Sequence, residues 1–133
     1  MKIFVDANIF VALANKNDST HQRANKLLAK LEKENPQLFT SSDVVKEAAT
    51  IISQRIDHKS AVKFLNEIES GDITIIFVDY DLNQKGLQEF GEQTSKNVSC
   101  VDAISFIIME QFNMDYAFSF DRDFRKSTIK ILS

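Results

Sequence analysis

Short apolar runs that close on an acid, set between amphipathic helices, constrain this chain more than any other feature. Lys2-Ile-Phe-Val reads as a buried strand that ends at Asp6, and Tyr116-Ala-Phe-Ser-Phe runs into Asp121. Between them, helical and strand periods alternate. The pattern predicts a helix from Asn8 to Ala14, then one with Ala24, Leu27, Leu28 and Leu31 on a single face, stopped at Asn35-Pro36. Leu38-Phe39-Thr40 is a second strand, Ile73 to Val78 the clearest one, and Ile129 to Leu132 a fifth at an edge. Ser41-Ser42-Asp43 opens a helix carrying Val44, Val45, Ala48, Ile51 and Ile52, and Asp57 caps the next. Gly71 stands where a helix end favours a left-handed residue. Further helices run from Asp81 to about Phe90 and from Ser99 through Phe112.

Strands alternating with helices imply right-handed crossovers. The expected fold class is α/β: one domain over residues 1–133, a three-layer α/β/α sandwich around a central, mostly parallel sheet. At 133 residues, a second core would leave each half small.

In such a sheet an acid after a strand sits at the carboxyl end, where open α/β folds gather their chemistry. Two helical acids join the strand-end pair: Glu47, one turn into its helix, and Asp102, in Val-Asp-Ala-Ile-Ser-Phe. Each has an ordinary reading. Asp6 caps the helix beginning near Asn8, Ser99 and Asp102 form a capping box, Glu47 is a solvated helical residue, and Asp121 caps the turn Asp-Arg-Asp-Phe. Together these readings weaken, because converging carboxylates repel and raise one another's pKa unless a cation or proton compensates. An all-oxygen donor set suits a hard ion, Mg²⁺ or Mn²⁺.

The remaining features exclude more than they assign. A net charge of −3 and a pI near 5.4 argue against holding nucleic acid by bulk positive potential, although acids with bound metal present a locally cationic site. Cys100, the only cysteine, leaves no intrachain disulfide or thiolate zinc site and points to the reducing cytoplasm. No secretory signal or stretch of membrane-spanning length is visible. His21 and His58 are expected at the surface, and the serines lack a His for acyl-transfer chemistry. Three glycines form no phosphate-binding loop.

Four segments carry a resemblance: Val-Asp-Ala-Asn-Ile-Phe, Ser-Ser-Asp-Val-Val-Lys-Glu, Ser-Cys-Val-Asp-Ala-Ile-Ser-Phe and Phe-Ser-Phe-Asp-Arg-Asp-Phe, spanning residues 5–124. In this order on an alternating β/α chain they resemble the PIN-domain family, and the chain's size and texture are similar to its VapC-type toxin ribonucleases. The resemblance implies a Mg²⁺- or Mn²⁺-dependent endoribonuclease. Asp6 and Asp102 map onto the central metal ligands, Glu47 onto a ligand or water-orienting acid, and Asp121 onto the residue completing the site. It also implies that Asn8 and either Ser41 or Ser42 line the pocket, and that one or two metals bind. A homodimer and a small antitoxin that occludes the pocket follow from it as well. Lys46, Arg122 and Arg125 are candidates to hold flanking phosphates of the RNA, and Asp123, two residues after Asp121, competes with it for the site.

Other classes fare worse. A haloacid-dehalogenase-like phosphatase needs a second acid where Asn8 stands, and a receiver needs a Lys after a later strand, which Ile73 to Val78 lacks. A PIN-like module without catalysis, binding RNA or protein, is the alternative.

Overall fold

The computed structural model describes residues 1–126 and 130–132, with side chains through Phe124. Its elements run β1 (Lys2–Val5), α1 (Ala7–Ala14), α2 (His21–Glu32), β2 (Gln37–Ser41), α3 (Ser42–Arg55), α4 (His58–Ser70), β3 (Thr74–Ile76), α5 (Tyr80–Glu92), α6 (Cys100–Gln111), β4 (Tyr116–Phe118), a 3₁₀ turn (Arg122–Lys126) and β5 (Lys130–Leu132). The five strands form one sheet in the order β3-β2-β1-β4-β5, and every pairing is parallel.

The order fixes the layers. Moving from β1 to β2 to β3 proceeds toward one edge, and the return from β3 to β4 crosses back past β1, so right-handed crossovers place α1–α4 on one face and α5–α6 on the other. The packing agrees: α1 lies against α2 and α3, α3 against α4, and α5 against α6. The strand order reverses between β1 and β4. That junction is the switch point at which parallel sheets open a crevice.

β1 and β4 form the middle of the core. Ile3, Phe4, Ala117 and Phe118 are fully buried, as expected of central strands covered on both faces. Gly86 lets α5 approach α6 closely: a Cβ there would stand 2.2 Å from Ile104 Cγ1 and 2.8 Å from its Cα.

Three local expectations need correction. Of Ile73 to Val78 only Thr74–Ile76 pairs, at the sheet edge; Phe77 is exposed and the Val78 N–H donates to Ser42 Oγ (2.9 Å) instead of to a strand. Gly71 is extended (φ −87°, ψ −175°), so the helix end does not use a left-handed glycine; among the described residues positive φ occurs at Asn35 (50°) and Asn113 (54°), just beyond α2 and α6. His21 is half-buried and structural, its Nδ1 lying 2.7 Å from the Ala12 carbonyl, which ties α2 to α1. Ile129, the expected start of the last strand, lies outside the described residues.

Candidate active site

Asp6 leaves the end of β1 with both carboxylate oxygens engaged. Oδ1 accepts the Ala7 N–H (2.8 Å), and Oδ2 accepts the Ser119 hydroxyl (2.8 Å) and the Asn8 amide (3.2 Å). Asn8 also reaches across to β4's exit, donating to Ser119 Oγ (3.1 Å) and accepting the Phe120 N–H at Oδ1 (3.1 Å). Ser119 Oγ accepts the Asp121 N–H (3.0 Å). Asn8 and Ser119 thus lock the carboxyl ends of the two central strands together and orient the first acid.

Asp102 belongs to the capping box of α6: the Ser99 N–H donates to Asp102 Oδ2 and the Asp102 N–H to Ser99 Oγ, both 3.0 Å. The ordinary reading of this pair is therefore correct locally, and it also fixes the direction in which the acid points. On the opposite face α3 presents Glu47, Ile51 and Arg55 at successive four-residue steps, one stripe of the helix. Asp121 accepts the Asp123 N–H (2.9 Å) within its turn.

All four acids line one cleft of about 410 Å³, together with Asn8, Asp18, Thr20, Arg55, Ser99 and Phe120. Two other hollows, of about 530 and 380 Å³, lie along α4 and have no such group, so chemistry rather than volume distinguishes this one. Asp123 is not among the lining residues; the Ser95 hydroxyl lies 3.5 Å from its Oδ1, outside the cleft.

The electrostatics are those of crowded acids. Burial pushes the Asp6 carboxyl up to about 7 from an ordinary 3.8; the hydrogen bonds from Ser119 and Ala7 oppose the shift, and the charges of Asp102 and Glu47 add to it. Burial also raises Glu47, helped by Asp102 and Asp43. Asp102 is raised by burial against the opposing Ser99 bonds, with contributions from Asp121 and Asp123. Each acid thus feels at least one of the others.

Among the described residues no group of three or more His, Cys, Asp and Glu side chains is arranged to hold an ion as it stands. The donor chemistry nevertheless fits one: an oxygen-only set whose buried members are too costly to leave ionised together without a compensating charge.

Of the serine doublet, Ser41 caps α3 by accepting the Val44 N–H (3.1 Å), and Ser42 accepts from Val78; neither lines the cleft. Lys46 and Arg122 are exposed and also absent from its walls. Sequence reasoning missed Ser119, Asp18 and Arg55. The signal for Ser119 was a polar residue interrupting an apolar strand end, and for Arg55 its i+8 spacing from Glu47.

The PIN domain family model matches residues 3–129. The 23S rRNA-specific endonuclease VapC20 of Mycobacterium tuberculosis is 31% identical over 122 residues, covering 92% of this chain and 91% of that protein. The crystal structure of Mycobacterium tuberculosis VapC20, described as a sarcin–ricin loop cleaving toxin, superposes with a TM-score of 0.87 at 29% identity, over 96% of this chain and 95% of the other. FitAcB from Neisseria gonorrhoeae shares the fold, with a TM-score of 0.71 at 14% identity over 98% and 96% of the two chains. So does VapBC2 from Rickettsia felis, bound to a DNA fragment from its promoter, with a TM-score of 0.64 at 17% identity over 99% and 98%. With its motifs, its sheet order and its full-length match in agreement, the chain belongs to the PIN-domain family.

Proposed function

We propose that this protein is a divalent-metal-dependent endoribonuclease, the toxin of a type II toxin–antitoxin pair, working as one PIN-like domain over residues 1–133 in the cytoplasm. The observation that carries the reading is the meeting of Asp6, Glu47, Asp102 and Asp121 in one cleft at the switch point, where burial, and after it neighbouring carboxylates, raise the pKa of Asp6, Glu47 and Asp102. Homology to an rRNA-specific endonuclease supports the reaction class.

Asp6 and Asp102 would be the central ligands for Mg²⁺ or Mn²⁺, and Glu47 and Asp121 would complete the set. When bound, the ion supplies a Lewis acid that acidifies water and offsets charge on the phosphate. The chain's own residues do the positioning. Asn8 and Ser119 fix the Asp6 carboxylate against β4, and the Ser99 box fixes Asp102. Where Glu47 does not itself hold the ion, its carboxylate, which lines the cleft, would orient the attacking water and take its proton. Water adds to phosphorus as the bond to the 3′ oxygen breaks, the departing oxygen takes a proton from solvent, and a 5′-phosphate and a 3′-hydroxyl are left.

The toxin-complex folds among the relatives support an antitoxin that covers this cleft, and a homodimer is the assembly we expect. Among the described residues no helix is long and apolar enough to cross a membrane.

The test is cleavage of single-stranded and loop RNA, with 23S rRNA tried first, in Mg²⁺ or Mn²⁺. Products should carry 5′-phosphates and 3′-hydroxyls, and EDTA should stop the reaction. Cyclic-phosphate ends, or cutting that persists in EDTA, contradict the mechanism, and failure to cut any RNA favours the non-catalytic module.

A further inference from the structure

A cleft walled by five acids, Asp18 beside the four of the site, repels the polyanion it is proposed to cut, so productive binding requires cationic groups beside it. Of the basic residues singled out by sequence, Lys46 and Arg122 do not line it and the side chain of Arg125 lies outside the described residues, but two other arginines stand in or against its wall. Arg55, in the last turn of α3, is the basic side chain of the wall, four and eight residues beyond Ile51 and Glu47 on the same stripe. Arg23, exposed in the first turn of α2, holds its guanidinium over the ring of Phe120, 4.8 Å from the centroid, and Phe120 is itself part of the wall.

The two arginines are available. Neither is in an ion pair with a described residue; the pairs among the described residues include Lys63 with Glu67 on α4 and Lys85 with Asp81 on α5. Asp18, another lining acid, is occupied by the Thr20 N–H (2.8 Å) and hydroxyl, and Arg55 acts on it through space without an ion pair. A guanidinium stacked on an aromatic ring loses little hydration and keeps its N–H edge pointed outward in the fork that matches a phosphate.

We infer that Arg23, braced on Phe120, and Arg55 form the phosphate-gripping bank of the cleft, holding backbone phosphates of single-stranded RNA next to the one presented to the acids. The assignment rests on the ribonuclease reading and adds its substrate-positioning residues. Phe120 has two roles: it fixes Arg23, and its backbone N–H, bound by Asn8, ties that brace to the Asp6 network.

The test uses the full chain in EDTA, so that binding is read without cleavage, and a fluorescent single-stranded RNA followed by anisotropy over a range of salt. Arg23→Ala and Arg55→Ala should each weaken binding about 5- to 10-fold and flatten the slope of log Kd against log salt by about 0.7, the loss of one phosphate contact. Phe120→Leu should weaken binding while leaving most of that slope, because the charge remains but its brace is lost. Lys30→Ala removes the same charge from the far end of α2 and should change neither quantity. Melting curves verify folding, and Arg55→Lys, keeping charge without the fork, should fall between wild type and alanine.

Wild-type affinity and slope in both alanine variants would overturn this inference while leaving the ribonuclease reading intact. The same loss in Lys30→Ala would also overturn it, by reducing the effect to overall charge. Wild-type protein that neither binds nor cuts RNA would overturn both.

Discussion

Two pairs of aspartates that accept backbone N–H groups at helix N-termini sit in opposite surroundings, one pair exposed and the other buried. Asp57 and Asp79 cap α4 and α5 at the surface, accepting the Ser60 N–H (2.7 Å) and the Leu82 N–H (2.9 Å). Asp6 and Asp102 sit at the starts of α1 and α6 and likewise accept backbone N–H groups. The hydrogen bonds to Ser60 hold the Asp57 carboxyl below its usual value, whereas burial and neighbouring acids drive Asp6 and Asp102 above theirs. The local motif is shared; the surroundings reverse its sign. A cap satisfies orphan amides at either place. Only at α1 and α6 does the fold also bury negative charge beside negative charge, a cost that architecture alone does not require.

The sharpest break between the pairs is in activity. Asp6→Asn or Asp102→Asn should lower RNA cleavage at least about 100-fold, since each removes a carboxylate proposed to hold the metal while nearly keeping shape. Cleavage within a few-fold of wild type would place the chemistry elsewhere.

Smaller but still clear is the contrast between Asp121 and Asp123. Asp121→Ala should reduce cleavage about 10-fold or more and Asp123→Ala much less, because only the former lines the cleft. Equal losses would show a shared role, and the reverse order would exchange the two assignments.

Stability should separate the caps by the direction of their pH response. The folded chain binds the Asp6 proton more tightly than the unfolded chain does, so this residue's contribution falls as pH rises from 3.8 toward about 7, by up to on the order of 4 kcal/mol. In metal-free protein, Asp6→Asn should remove that decline and leave the neutral-pH form more stable. Asp57, with its lowered pKa, acts oppositely: its contribution is present above its unfolded value and is lost as pH falls through its folded one. Asp57→Ala should lower the neutral-pH melting temperature by a few degrees without altering cleavage. Parallel pH responses in the two variants would erase the distinction.

Much of the frame was legible because it is written in local periods. The alternation of apolar runs and helical stripes predicts the elements and the parallel sheet, and Ser99-x-x-Asp102 and Asp57 announce their caps. Asp6 and Asp121 declare their place by following strands that pair side by side in the sheet. What was not legible depends on contacts between distant segments. Ser119 matters because Asn8 and Asp6 reach it across more than a hundred residues, and Arg23 because Phe120 lies beneath it. The stretch Ile73 to Val78 looked like a full strand, yet an edge has one neighbour, and a serine hydroxyl took the N–H that a ladder would have used. Lys46 sits beside Glu47 in sequence but a helix sends adjacent residues to different faces, and Arg55, two turns on, shares the stripe.

The central claim is that the buried acids at the switch point are kept for a divalent cation. Thermal melting at neutral pH, in Mn²⁺ and then in EDTA, tests it on wild type and on the Asp6→Asn, Asp102→Asn double variant. Mass action gives about 2.7 kcal/mol at a hundredfold excess over Kd, so Mn²⁺ should raise the wild-type melting temperature by several degrees and leave the double variant unmoved. An equal rise in both proteins would contradict the account.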